Sequence, residues 1–249
     1  MNYTNTLSHL RLCTAAAAVL VLTGCATTAN NPQDPLEGYN RAVYSFNDAV
    51  DRTVLKPTAT VYKNVLPGFA QTGVSNFFGN LSDAWSSVNN LLQGKGEAGA
   101  TDFGRVAINS TFGIFGLLDI ASEAGMPKHN EDFGQTLGKW GVPSGPYLIL
   151  PLLGPSTVRD TAALPADFAG DIWTYKTPVN WRNVGTGVRI IDKRASLLDA
   201  SGLMEDAALD RYEFLRDGYL QRRQSQVYDG NVPRQADDDV DAPAPSETK

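Results

Sequence analysis

The sequence predicts one mainly α-helical domain carrying two short apolar segments closed by glycine and proline. Three observations carry that expectation. Apolar residues recur at spacings of three and four along most of the chain. No run of alternating strands and turns is present. The stretch from 34 to 228 is long enough for one sizeable core.

The elements follow in order. Asp34 has the character of an N-cap, with Pro35 at the first helical position. Tyr39, Val43, Phe46 and Val50 then fall on one helical stripe, and Pro57 bounds that helix. A second, longer apolar face runs through Phe69, Val74, Phe77, Phe78, Leu81, Trp85, Val88 and Leu92, and Gly94 stops it. A third helix covers Glu97 to Ser110. Asn130 can cap a short helix with Phe133 and Leu137, and Glu131 and Asp132 suit its positive end. Trp181 to Ala200 and Leu203 to Tyr228 are expected as two further helices, the last with Leu209, Tyr212, Leu215 and Tyr219 along one side.

Two segments break the helical pattern. The first, 112–120, is almost wholly apolar: Phe112, Ile114, Phe115, Leu117 and Leu118 alternate with Gly113 and Gly116. The second, 145–155, holds Tyr147, Leu148, Ile149, Leu150, Leu152 and Leu153 between Gly-Pro pairs. Each is far below the ~20 residues that cross a bilayer as a helix. Burial in the core is one explanation. Contact with lipid, as monotopic or re-entrant elements packed on amphipathic helices, is the other, and the lipid-contact expectation attaches to these eleven apolar residues.

The N-terminus decides where the chain sits. An apolar run from Leu12 to Leu22 has the length of a secretory-signal core, and Leu22-Thr23-Gly24-Cys25 resembles a bacterial lipobox. Residues 1–24 are then a lipoprotein signal peptide, Cys25 the lipidated first residue, and 25–33 a short polar tether. Cys13 leaves with the signal, so no cysteine remains for a disulfide, a metal or a nucleophile. His9 leaves too, and His129 becomes the one histidine. Loss of Arg11 turns the net charge of −6 into −7. The tail 229–249 has six acidic and two basic residues and is expected to be disordered. Nucleic acid is a poor partner for a chain with no basic excess.

Other motifs carry little. Gly94-Lys-Gly-Glu-Ala-Gly99 matches a dinucleotide fingerprint, but it follows a helix where that site needs a strand. No G-x-S-x-G, H-E-x-x-H or P-loop pattern occurs, and no metal or cofactor is expected. His129, among Lys128, Asn130, Glu131 and Asp132, has the setting of an exposed turn residue. A hydrolase built on it would need a serine and an acid supplied by the fold.

Many short motifs in register resemble the VacJ/MlaA lipoproteins of Gram-negative outer membranes. They include the stretch Asp34 to Asn47, Asn76-Phe-Phe-Gly-Asn-Leu81, Asn90-Leu-Leu-Gln-Gly94, Asn109-Ser-Thr-Phe-Gly113 and Asp119-Ile-Ala121. They continue with Phe133-Gly-Gln-Thr-Leu-Gly138, Gly145-Pro-Tyr147, Leu150-Pro-Leu-Leu-Gly-Pro155, Arg159-Asp160 and Tyr219-Leu-Gln-Arg222. The resemblance implies a ring of helices lying monotopically in the inner leaflet of the outer membrane, on its periplasmic face. It implies an amphipathic channel through which phospholipids leave the outer leaflet for a soluble periplasmic carrier, with porin trimers as neighbours. It also implies an element controlling lipid entry that carries Tyr39, Phe46 and Asn47. A passive scaffold for porins, or a lipid hydrolase dependent on His129, are the alternatives.

Overall fold

The computed structural model describes residues 31–207 and 209–233, with the side chains of 203–207 left aside. The signal peptide, Cys25 and the tail beyond 233 lie outside the described residues. Helix α1, Glu37–Val50, passes through a π-helical stretch, Asp51–Leu55, into α2, Lys56–Val65. Next come α3, Gly68–Leu92; α4, Gly96–Thr111; the single turn α5, Ile120–Glu123; and α6, Phe133–Lys139. Strands β1, Tyr147–Leu150, and β2, Gly154–Thr157, form one antiparallel hairpin. Then follow α7, Val158–Gly170; a 3₁₀ turn, Ile172–Tyr175; α8, Val179–Ser196; α9, Leu198–Ala207; and α10, Arg211–Val227.

Packing joins these elements in a closed circuit. Helix α1 lies on β1, β2 on α10, α10 on α6, α6 on α3, α3 on α8 and α8 on α2, which continues α1. The domain is mainly helical and ring-like. No helix among the described residues is long and apolar enough to cross a membrane.

Several sequence expectations change. Pro57 does not end the first helix. A proline lacks an N–H and crowds the carbonyl four residues back, and the wider π turn just before it absorbs both problems. Asp34 is no cap: α1 starts after Leu36, and Asp34 is buried, accepting from Asn40 and Tyr212. Asp132, not Asn130, caps α6, accepting from the Gln135 N–H at 2.9 Å. The stretch 203–228 is not one helix, because α9 ends at Ala207 and Asp210 caps a separate α10. Helix α7 and the hairpin were not foreseen. The Gln33 carbonyl accepts from the Tyr147 N–H at 2.9 Å, which ties the start of the described chain to the hairpin. After α10, Asp229 pairs with Lys95 and Lys139.

The interior is polar. Among the described residues nine apolar or aromatic side chains are buried, against twenty polar or charged ones. Soluble domains arrange these the other way round. Helix α3 shows it most plainly: Asn80, Asp83, Ser86, Ser87, Asn89 and Asn90 face inward, while Phe69, Val88, Leu91 and Leu92 are exposed. Partners satisfy most of the buried groups. Arg105, fully buried, donates to Asp83 at 3.2 Å and to both oxygens of Asp119 at 2.9 Å. Arg223 bridges Asp160 and Asp132, tying α10 to α7 and α6. Asn90 donates to Asp102 at 2.8 Å, and Thr136 to Asn89 at 2.8 Å.

Candidate lipid-contact site

The two apolar segments solve their local problem differently. In 112–118 the chain makes a tight turn with Ile114 at φ 53° and Phe115 at φ 57°. Left-handed backbone is costly for side chains of this size, above all for a β-branched one. Here it is held by the Gly116 N–H to the Asn109 carbonyl and the Leu118 N–H to the Gly113 carbonyl, both 2.9 Å. The turn lies against α3. Asn76 donates to the Leu117 carbonyl at 3.1 Å, and a Cβ on Gly116 would come within 2.7 Å of the Asn80 amide. The glycines therefore face the protein, and Phe112, Ile114, Phe115, Leu117 and Leu118 all face out. Phe115 is 78% exposed.

Asp119 pins the end of this turn. Burial alone would raise its pKa, but hydrogen bonds from Ser122, Asn109 and Arg105 outweigh burial and lower it to about 2.

The second segment is a strand, and alternation splits it. Tyr147 and Ile149 are buried with Tyr212, and Val43, Tyr44, Tyr219 and Leu220 pack around them. These two residues are core, so the expectation that they touch lipid is corrected: strand period two turns every second side chain inward. Leu148 and Leu150 are half-buried, and Leu152 and Leu153 at the tip are exposed.

Helix α1 grips this hairpin with two asparagine amides. Asn40 donates to the Tyr147 carbonyl at 3.1 Å and accepts from the Ile149 N–H at 2.8 Å. Asn47 donates to the Leu150 carbonyl at 3.0 Å and accepts from the Leu152 N–H at 2.8 Å. Each amide acts as one more strand residue. The spacing fits because seven helical residues rise about 10 Å, as do three strand residues. The Asn47 amide holds Leu152 at φ 63°, in the left-handed region. Of the three residues expected on an entry-controlling element, Asn47 is the one that hydrogen-bonds to the hairpin turn. Tyr39 and Phe46 point outward, Phe46 with half its surface exposed.

His129 is more than an exposed turn residue. Its Nδ1 lies 2.9 Å from an oxygen of the buried Asp102. Among the described residues no serine or threonine hydroxyl bonds to its ring.

The polar stripe was missed, although its signal was present. Asn80, Asp83, Ser87 and Asn90 recur at three, four and three, as good a helical period as the apolar face opposite. Asn40 left no comparable trace, since one asparagine in a helix says nothing about what it holds.

Comparison with known proteins agrees with this architecture. Residues 32–226 match the family model described as MlaA lipoprotein. The intermembrane phospholipid transport system lipoprotein MlaA of Escherichia coli K12 is 36% identical over 222 residues, covering 86% of this chain and 87% of that protein. The protein of the same name from Shigella flexneri is 36% identical over 224 residues, with the same two coverages. A structure solved in work on the structural basis for maintenance of bacterial outer membrane lipid asymmetry superposes with a TM-score of 0.69 at 36% identity. That superposition covers 78% of this chain and 98% of that one. A family model spanning most of the chain, relatives above a third identical and a shared fold make this chain a member of the MlaA lipoprotein family.

Proposed function

We propose that this protein removes mislocalised phospholipids from the outer leaflet of the outer membrane and thereby maintains lipid asymmetry. The lipid passes through an amphipathic channel in the ring to a soluble periplasmic carrier. Acylated Cys25 holds the protein on the periplasmic face, beside porin trimers. The observation that carries this reading is the inverted burial: among the described residues the interior is polar, thirty-two large apolar residues are exposed, and no helix is long and apolar enough to span a membrane. A protein with that surface suits an apolar surrounding, while its buried polar side chains pair with one another inside. The names of the relatives, which state intermembrane phospholipid transport, support the same assignment.

The energetics ask for a channel and for no covalent chemistry. A phospholipid has roughly 30 tail methylenes, and exposing them to water costs on the order of 20 kcal/mol or more at about 0.8 kcal/mol each. A continuous apolar path removes that barrier, and the polar side of an amphipathic channel takes the head. The turn 112–118 and the tip Leu152–Leu153 face lipid. Asn47, through its grip on that tip, sets the entry, with Tyr39 and Phe46 on the same helix.

The test is genetic and chemical. Cells lacking the protein should accumulate outer-leaflet phospholipid and become sensitive to SDS with EDTA. Wild type should restore both, and Cys25→Ser should not. Cells that keep a normal outer leaflet without the protein would refute the assignment. Copurified phospholipid separates transport from a scaffold role, and hydrolysis products would reveal a lipase.

A further inference from the structure

A cleft of about 610 Å³ opens between α3, α8 and the segment 173–178, away from the hairpin. Its walls are Val74, Phe77 and Phe78 of α3, Leu117, Trp173, and Trp181, Val184 and Val188 of α8. Lys176 and Thr177 are the polar side chains in the lining. The volume is within the about 300–1,000 Å³ of small-molecule sites. The floor is fixed. Trp173 packs edge-on against Phe77 and Phe78, at 5.9 and 5.4 Å between ring centres, and donates its indole N–H to the Arg182 carbonyl at 3.0 Å. Gly185 lets the indole reach α8, where a Cβ would stand 2.1 Å from the ring.

The rim is cationic. The Lys176 ammonium makes no ion pair among the described residues. The nearby Asp171 is already taken by Arg189 at 2.6 Å. One cation without a carboxylate partner among the described residues therefore stands in the lining of an apolar trough.

We propose that this cleft holds one acyl chain of a phospholipid with its phosphate at Lys176, and that it favours an anionic headgroup over a zwitterionic one. The proposal rests on the transport reading above. A peptide would bring backbone N–H and C=O groups that this lining cannot satisfy, whereas an acyl chain brings none. Leu117 belongs both to the cleft wall and to the exposed turn 112–118, so the trough is continuous with the surface that meets the bilayer. A tail can slide from one to the other without crossing water.

The full lipidated protein in phosphatidylcholine vesicles, doped with phosphatidylglycerol carrying a photoreactive acyl chain, tests this. Irradiation and peptide mass spectrometry should place label on 74–78 and 173–188. Lys176→Gln should lower that labelling about fivefold, as expected for one cation at an anionic lipid, and should barely change it for a phosphatidylcholine probe. Val188→Trp fills the trough and should abolish it for both lipids. Thermal melts of both variants should match wild type, and Lys176, being exposed, keeps the test valid if the tryptophan variant fails to fold. Label confined to other helices, or unchanged labelling in Lys176→Gln, overturns the cleft and leaves transport standing. No label anywhere overturns both.

Discussion

The segments 112–118 and 147–153 have nearly the same composition and opposite fates. The first is a turn, and its five large apolar residues all face outward while its glycines touch the protein. The second is a strand and its turn, and two of its six large apolar residues, Tyr147 and Ile149, are core. Composition therefore does not decide what meets lipid. What decides it is the backbone period, together with what lies beneath. Beneath the first segment lies α3, whose Asn76 donates to the Leu117 carbonyl and whose buried Asn80 donates to the Ser110 hydroxyl, so polar groups hold the turn from within. Beneath the second are Tyr212 and Tyr44, which offer aromatic faces.

The contrast is broken most severely by a charge in the buried half of the hairpin. Ile149 is 1% exposed in an aromatic cluster. Ile149→Asp should lose on the order of 4 kcal/mol or more of folding stability, because an unpaired carboxylate replaces a packed side chain. Urea denaturation in detergent would measure it. A loss below about 1 kcal/mol would mean that the hairpin is surface after all.

Asn40 comes next. Asn40→Ala removes three hydrogen bonds, to Asp34, the Tyr147 carbonyl and the Ile149 N–H. It leaves buried groups unpaired, so about 3 kcal/mol should be lost in the same assay.

How far the sequence reveals this molecule follows from the same contrast. Helices with an unbroken period were legible: α3 and its stop at Gly94 fall where expected, Gly94 at φ 78°. Helix α4 does too. What the pattern did not reveal was polarity. An apolar stripe marks one face of a helix but not which solvent that face meets, and in α3 the face opposite is the buried one. The hairpin was hidden because a short apolar run has no period of its own until its turn is known. The role of Asp34 was hidden because a buried acid and a capping acid look alike in sequence. Its partners, Tyr212 and Arg216, are far along the chain.

Acid should loosen the first segment through Asp119. This carboxyl is held at about 2, below its ordinary value, so the unfolded chain binds a proton more readily than the folded one. The resulting stability is complete above the unfolded value near 3.9 and is lost as pH falls through about 2, amounting to about 2 kcal/mol at most. Asp132 and Asp160 are lowered as well, burial opposing and Arg223 prevailing, and add slope of the same sign. Asp119→Asn should therefore flatten part of the loss between pH 5 and pH 2. An identical acid profile in that variant would remove Asp119 from the account.

Asn47 should cost less than Asn40. Its two bonds go to the half-exposed turn of the hairpin, where water can replace them, so Asn47→Ala should lose about 1 kcal/mol. The gating reading adds a second expectation. The tip should exchange amide hydrogens faster in Asn47→Ala while the Tyr147–Ile149 core stays protected. Uniformly faster exchange would make Asn47 a packing residue only. Deletion of Asn47 shifts the phase of α1 and should be dominant over wild type in outer-leaflet phospholipid assays. A recessive defect with lowered protein level would count against a gate.

The smallest effect on folding belongs to the most exposed residue of the first segment. Phe115→Asp touches nothing buried, so its stability in detergent should change by less than about 0.5 kcal/mol. Its effect on the bilayer should be large by comparison. Burying a phenylalanine in lipid contributes about 1.5–3 kcal/mol, and Phe112 and Ile114 stand beside it on the same turn. Vesicle flotation of a non-acylated Cys25→Ser form isolates this contribution from the anchor. In that background Phe115→Asp should reduce the floated fraction by tenfold or more, since 1.4 kcal/mol is one factor of ten. Equal flotation with an unchanged melt would mean that the turn 112–118, though exposed, does not enter the membrane. The bilayer would then meet the ring through other apolar faces, such as the outer side of α3.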